Sequence, residues 1–203
     1  MTEISAAAVK SLRDVTGAGM MDCKHALIEA GGDTERAVEL LREKGLASAK
    51  KRAGRTANQG VVESYIHFNA SLGVLAEINC ETDFVANTDE FRDLARGVVI
   101  HIASMTPRWV TREDVPEDLI ATESRIYEAQ AKESGKPEKV VPKIVEGKLE
   151  AFFKENVLLD QPYVRDDSKS VGTLVGEASG KLGEKIEVRR FVRFKLGEEL
   201  GSE

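Results

Sequence analysis

The sequence predicts an α+β protein, with a three-helix bundle at its N-terminus followed by a core built on a three-stranded antiparallel sheet. Three observations carry this. Short helical stripes broken by glycines fill residues 1–45, the period switches to two after residue 60, and helical spacing returns between the strands. The boundaries follow: a three-helix domain over 1–45, a basic linker over 46–60, and an α+β core over 61–203 with covering helices and a helical hairpin.

Val9, Leu12 and Val15 form an apolar stripe on a helix starting near Ser5, which Gly17-Ala18-Gly19 breaks. A second helix starts at 20–22, with Asp22 placed to cap it and Ala26 and Leu27 facing inward. After Gly31-Gly32, Asp33 caps a third helix carrying Ala37, Val38 and Leu41, which Lys44 and Gly45 close. Lys50, Lys51, Arg52 and Arg55 then fall in an acid-free stretch rich in Ala, Ser, Gly and Asn, read as a partly helical linker.

Val62, Ile66 and Phe68 alternate with Val61, Glu63, Tyr65 and His67, as in a half-exposed strand. Residues 69–73 supply a turn. Val74, Ala76, Ile78 and Cys80 then alternate with Glu77, Asn79 and Glu81 as the hairpin partner. Near the C-terminus Ile186, Val188, Val192, Phe194 and Leu196 make a third strand, its apolar face interrupted by Arg190. Between them, Thr88 caps an amphipathic helix of Phe91, Leu94, Ala95, Val98, Ile102 and Met105, ended by Pro107. Helical patterns recur over 117–134 and 137–153, an antiparallel pair, and over 171–182.

A net charge of −6 argues against a surface drawn to nucleic acid or anionic membrane, and 5% aromatics against base-stacking platforms. The N-terminus lacks a signal-peptide pattern and no apolar run reaches membrane-spanning length, so the default compartment is the cytoplasm. Cys23 and Cys80 read as packing residues. Cys23 and His25 are two apart on one helix and cannot share a metal; with His67 and His101 they complete no catalytic or metal-binding motif. The chain is expected to be no enzyme and to carry no metal or cofactor.

The glycine-rich turn 16–22 reads as an inter-helix turn, because no strand precedes it and Asp22 would repel phosphate. Met20 and Met21 cannot both face one small core, so at least one is exposed as an adaptable contact for a partner, flanked by Lys24. In the stretch 79–87, between a strand and a capped helix, Phe84 reads from composition as a core residue and Thr82 and Asp83 as turn residues.

Val9-Lys10-Ser11-Leu12-Arg13 with Thr16-Gly17-Ala18-Gly19-Met20-Met21-Asp22-Cys23-Lys24, and Asn79-Cys80-Glu81-Thr82-Asp83-Phe84-Val85, resemble the two signatures of the elongation factor Ts family. Ser134-Gly135-Lys136-Pro137, Val145-Glu146-Gly147-Lys148 and Gln161-Pro162-Tyr163-Val164 also look like family landmarks. The resemblance implies an N-terminal bundle similar to ubiquitin-associated domains and nucleotide exchange on GDP-bound elongation factor Tu. It implies contacts to Tu at Arg13, Met20, Met21, Lys24, Lys51 and His67. It assigns Thr82, Asp83, Phe84 and Val85 to dislodging magnesium from Tu. Long family members have two related core halves, and this chain has one, which implies a homodimer; nucleic acid and membrane are not expected partners.

Overall fold

The structure, a computed structural model, describes residues 4–198. Along the chain come α1 (Ala6–Thr16), α2 (Met20–Glu29), α3 (Thr34–Arg52), β1 (Gln59–Ile66), β2 (Leu72–Cys80), α4 (Asp83–Ala86) and α5 (Asp89–Met105). There follow α6 (Glu117–Glu133), α7 (Val141–Asn156), β3 (Pro162–Tyr163), β4 (Asp166–Ser170), α8 (Val171–Leu182) and β5 (Glu187–Lys195). The fold is α+β, with a three-stranded antiparallel sheet in the order β1-β2-β5, as the alternation predicts. A second sheet, the short pair β3-β4, was not legible in the sequence. The described residues divide into two compact units. One takes residues up to Val61 with Ile78–Leu94 and Thr173–Glu187; the other takes Val62–Glu77, Ala95–Gly172 and Val188 onward.

In the first unit, the Ser5 hydroxyl accepts from Ala8 N at 3.2 Å to open α1, and Gly17 closes it at φ 67°, a conformation open to glycine at little cost. Val9, Leu12, Cys23, Ala26, Leu27, Ala37 and Leu40 form the bundle core. Val15, predicted to share that stripe, is exposed. Two successive three-residue steps carry it about 120° around the axis from Val9, off the buried face. Asp22 is not the cap of α2; Gly19 takes that position, and Asp22 lies in the first turn, where its charge suits the helix N-terminus. Asp33 does cap α3, accepting from Arg36 N at 3.1 Å.

The third helix does not stop at Gly45 but runs to Arg52. Its second half docks on α8. Gly45 and Gly180 meet backbone to backbone: a Cβ on Gly180 would lie 2.8 Å from the Gly45 Cα. Leu46 packs over Gly176, Arg42 pairs with Glu177, and Arg52 Nη1 donates to the Ser179 carbonyl at 3.3 Å. A tertiary contact thus carries the helix through a glycine that local propensity reads as an end.

In the second unit, Val74 and Ala76 of β2 face inward as predicted. On β1 the sides are reversed. Val62, Ile66 and, just beyond the strand, Phe68 are exposed, while Val61, Glu63, Tyr65 and His67 are half-buried. Alternation identifies the more apolar face of a strand but not which face the rest of the chain covers. Val192 and Phe194 of β5 are exposed as well, and so are Leu75 and Leu196. Inside-outside order slips at Arg189 and Arg190, both exposed and both paired with Glu77, at 3.7 and 2.7 Å. That slip explains the arginine on the predicted apolar face.

Thr88 caps α5 through Phe91 N at 3.3 Å, and Phe91, Leu94, Ala95, Val98 and Ile102 are buried along it. Helices α6 and α7 form the predicted hairpin. At its base the Arg112 guanidinium grips Glu150 at 2.7 and 2.8 Å and Asp160 at 2.9 Å, and lies over the Phe153 ring. Buried His101 contacts the Gln161 side chain through Nε2 at 2.9 Å and accepts Val164 N on Nδ1 at 3.2 Å. Since Nδ1 accepts, the proton sits on Nε2.

Candidate functional site

Two groups of the predicted contact residues are held on the first unit. On α2, Met20 and Met21 are both exposed, 46% and 60%, one turn before exposed Lys24, so all three share one edge of the bundle. The bundle core requires Cys23, Ala26 and Leu27 inside, which turns the first-turn methionines out. Arg13 is exposed on α1, in its last turn, and its carbonyl accepts the Gly17 amide at 2.7 Å. Lys51 is exposed in the last turn of α3.

The second group is the stretch 82–85. Phe84 is 83% exposed, so the composition-based placement in the core is wrong. Thr82 ends the extended chain, and its hydroxyl accepts from Val85 N at 3.3 Å, opening the single-turn helix α4. Asp83 is exposed, Val85 half-buried and Ala86 buried, so the turn rests on its far side and lifts its aromatic ring outward. Asn87 Nδ2 donates to Asp83 O at 2.9 Å and Arg92 Nε to Ala86 O at 2.9 Å, which close the helical turn.

His67 belongs to the second unit, half-buried, with Nδ1 2.8 Å from the Tyr65 hydroxyl and its ring 4.5 Å from that of Phe68.

Sequence reasoning missed the groups that hold the turn. Glu184 accepts from Glu81 N and Thr82 N, both at 3.0 Å, and from the Thr82 hydroxyl at 2.6 Å. The Glu81 carboxylate accepts from Lys185 N at 2.6 Å, and Arg55 lies 3.3 Å away. That backbone donor, reinforced by Arg55, holds the Glu81 carboxyl below the usual carboxylate range. Burial pushes the Cys80 thiol up, with Glu184 adding to it, so the neutral thiol donates to Thr82 O at 3.1 Å. A residue 102 positions away along the chain leaves no local signal.

Chemically, the turn offers an exposed ring and an exposed carboxylate on a support held by hydrogen bonds. Among the described residues no group of three His, Cys, Asp or Glu could hold a metal, and no helix is long and apolar enough to cross a membrane.

Comparison with known proteins bears on what the support is for. The family model described as Elongation factor TS matches residues 9–198. A protein called Elongation factor Ts from Caldanaerobacter subterraneus subsp. tengcongensis is 57% identical over 195 residues, covering 96% of this chain and 98% of its own length. Proteins of the same name from Fervidobacterium nodosum and Coprothermobacter proteolyticus are 55% and 57% identical over 196 residues, covering 97% of this chain and all of their own. The family match spans both signatures, and the chain belongs to the elongation factor Ts family.

Proposed function

We propose that this chain, a translation elongation factor by its family, is the guanine nucleotide exchange factor for elongation factor Tu. It binds Tu·GDP in the cytoplasm, displaces magnesium and promotes GDP release, and acts by binding rather than by covalent chemistry. The observation that carries the reading is Phe84, left 83% exposed on a one-turn helix that a network of polar bonds holds in place. A large apolar side chain presented in this way is built to be buried elsewhere.

GDP is held on such a partner by phosphate-cradling amides and a magnesium ion that neutralises phosphate charge. A factor that binds the magnesium-free conformation weakens GDP by the factor by which GDP weakens it. Burying the Phe84 ring supplies about 2–3 kcal/mol, roughly 30–150-fold in affinity. Asp83 adds a negative charge beside it that disfavours the phosphate-metal arrangement. The remaining affinity comes from Arg13, Met20, Met21 and Lys24, with Lys51 and His67 at the margins. With a net charge of −6 neither nucleic acid nor a membrane is a partner in this reading.

The factor works as a homodimer. Val62, Ile66, Leu75, Val192 and Phe194 leave one apolar sheet face in solvent, a larger patch than scattered surface residues make, and a second copy supplies a matching one. Light scattering is expected to give about twice 22.2 kDa; a mass of 22.2 kDa would remove the dimer.

Release of a fluorescent GDP from elongation factor Tu tests the function. Acceleration by substoichiometric amounts of this chain is the expected result. Unchanged release would overturn the reading.

A further inference from the structure

We propose that Glu184 is the positioning residue of the Phe84 turn, a latch that fixes where the ring is presented to the partner. The inference rests on the reading above, in which Phe84 acts on Tu. Glu184 follows Gly183, whose φ of 77° turns the chain out of α8 toward β5. Its Oε2 accepts from the backbone N–H groups of Glu81 and Thr82, and its Oε1 from the Thr82 hydroxyl. The return bond, Lys185 N to Glu81 Oε1, means that each segment satisfies the other's free amide. Ser179 Oγ donates to the Glu184 carbonyl at 2.6 Å and ties the latch to the end of α8.

The turn needs such a hold. One turn of helix is unstable alone, because nucleation fixes several residues for a single hydrogen bond. Phe84 cannot anchor it, being mostly in solvent. The Thr82 hydroxyl both donates to Glu184 and accepts from Val85 N, so the group that caps α4 is the one the latch orients. Charge-assisted bonds to a carboxylate are the strong class, and three converge here. Loss of Glu184 therefore frees the turn without touching Met20, Met21 or Lys24.

The test uses the full chain with Glu184→Ala and Glu184→Gln. Hydrogen exchange of the amides over 81–87, measured without Tu, is expected to speed up about tenfold or more in the alanine variant. GDP release at saturating factor is expected to fall roughly tenfold, while affinity for Tu·GDP, where the ring is not yet buried, is kept; glutamine, with one acceptor oxygen, lies between. Unchanged amide protection would overturn the latch. So would a full saturated rate despite lost protection, or a fall in rate matched by an equal loss of affinity for Tu·GDP. If Glu184→Ala does not fold, Glu184→Gln alone is read in the same way, with the amides over 81–87 expected to exchange faster than in the unaltered chain. Should the unaltered chain fail to release GDP, the exchange reading fails, and the amide protection still reports on the latch separately.

Discussion

Met20 and Met21 on α2 and Phe84 on α4 are all large apolar side chains left in solvent, yet they are supported in opposite ways. The methionines ride on a ten-residue helix whose inner face is packed into the bundle core; their exposure is a by-product of which residues that core needs. Phe84 sits on four helical residues, and hydrogen bonds from distant segments define its place. Under the proposed function, the difference amounts to a division of labour. Flexible thioethers on a packed helix supply area that adapts to a partner. A stiff ring on a polar support supplies a fixed position, and position is what a displacing group requires.

The largest expected effect breaks the comparison by removing what both regions share. Helix α8 docks α3 through Gly180 and then leads into Glu184. Gly180→Val pushes a side chain against the Gly45 backbone, and is expected to cost about 2–3 kcal/mol of stability, read from the urea midpoint. Tu binding and saturated exchange should then fail together. A midpoint equal to that of the unaltered chain would mean that α3 slides aside freely.

Phe84→Ala comes next and sharpens the contrast. Saturated GDP release should fall by up to about 30–150-fold, the value of one buried ring. The melting temperature should stay put, since the ring is in solvent in the free protein. A lowered melting temperature would return Phe84 to a structural role.

Replacing Met20 and Met21 together by alanine should do the reverse. Affinity for Tu drops roughly tenfold to thirtyfold, about 1 kcal/mol for each side chain, and the rate at saturation holds. If the rate falls while affinity holds, the division of labour is wrong.

The smallest effect lies in the second unit, which serves as a control. Burial lowers the pKa of His101 from its ordinary 6.5, with the Gln161 bond opposing. The folded state therefore binds its proton less readily than the unfolded state. Its contribution to stability is full above pH 6.5 and is lost as pH falls from there toward the lowered folded value. Melting in this range should show a slope that His101→Gln removes.

Much of the architecture was legible because its signals are local. The caps at Asp33 and Thr88, the glycine break at 135, and the span of α8 each depend on a few neighbouring residues. Exposure of the methionines followed from the small size of one core. What was not legible depends on residues far apart. The end of α3 is decided by Gly180, the sidedness of β1 by what covers it, and the placement of Phe84 by Glu184. Composition alone put Phe84 in the core because a Phe beside a strand end is usually there; only the polar support explains why it is not.

The latch also orders events during the protein's own synthesis. Thr82 leaves the ribosome with its partner carboxylate 102 residues behind. At roughly 5–20 residues per second, that gap lasts about 5–20 s. Throughout it the Phe84 segment has no Glu184 to close on, and α3 has no α8 on which to extend past Gly45. A nascent chain can therefore expose Met20 and Met21 early, but it acquires a set Phe84 turn only once Glu184 has emerged.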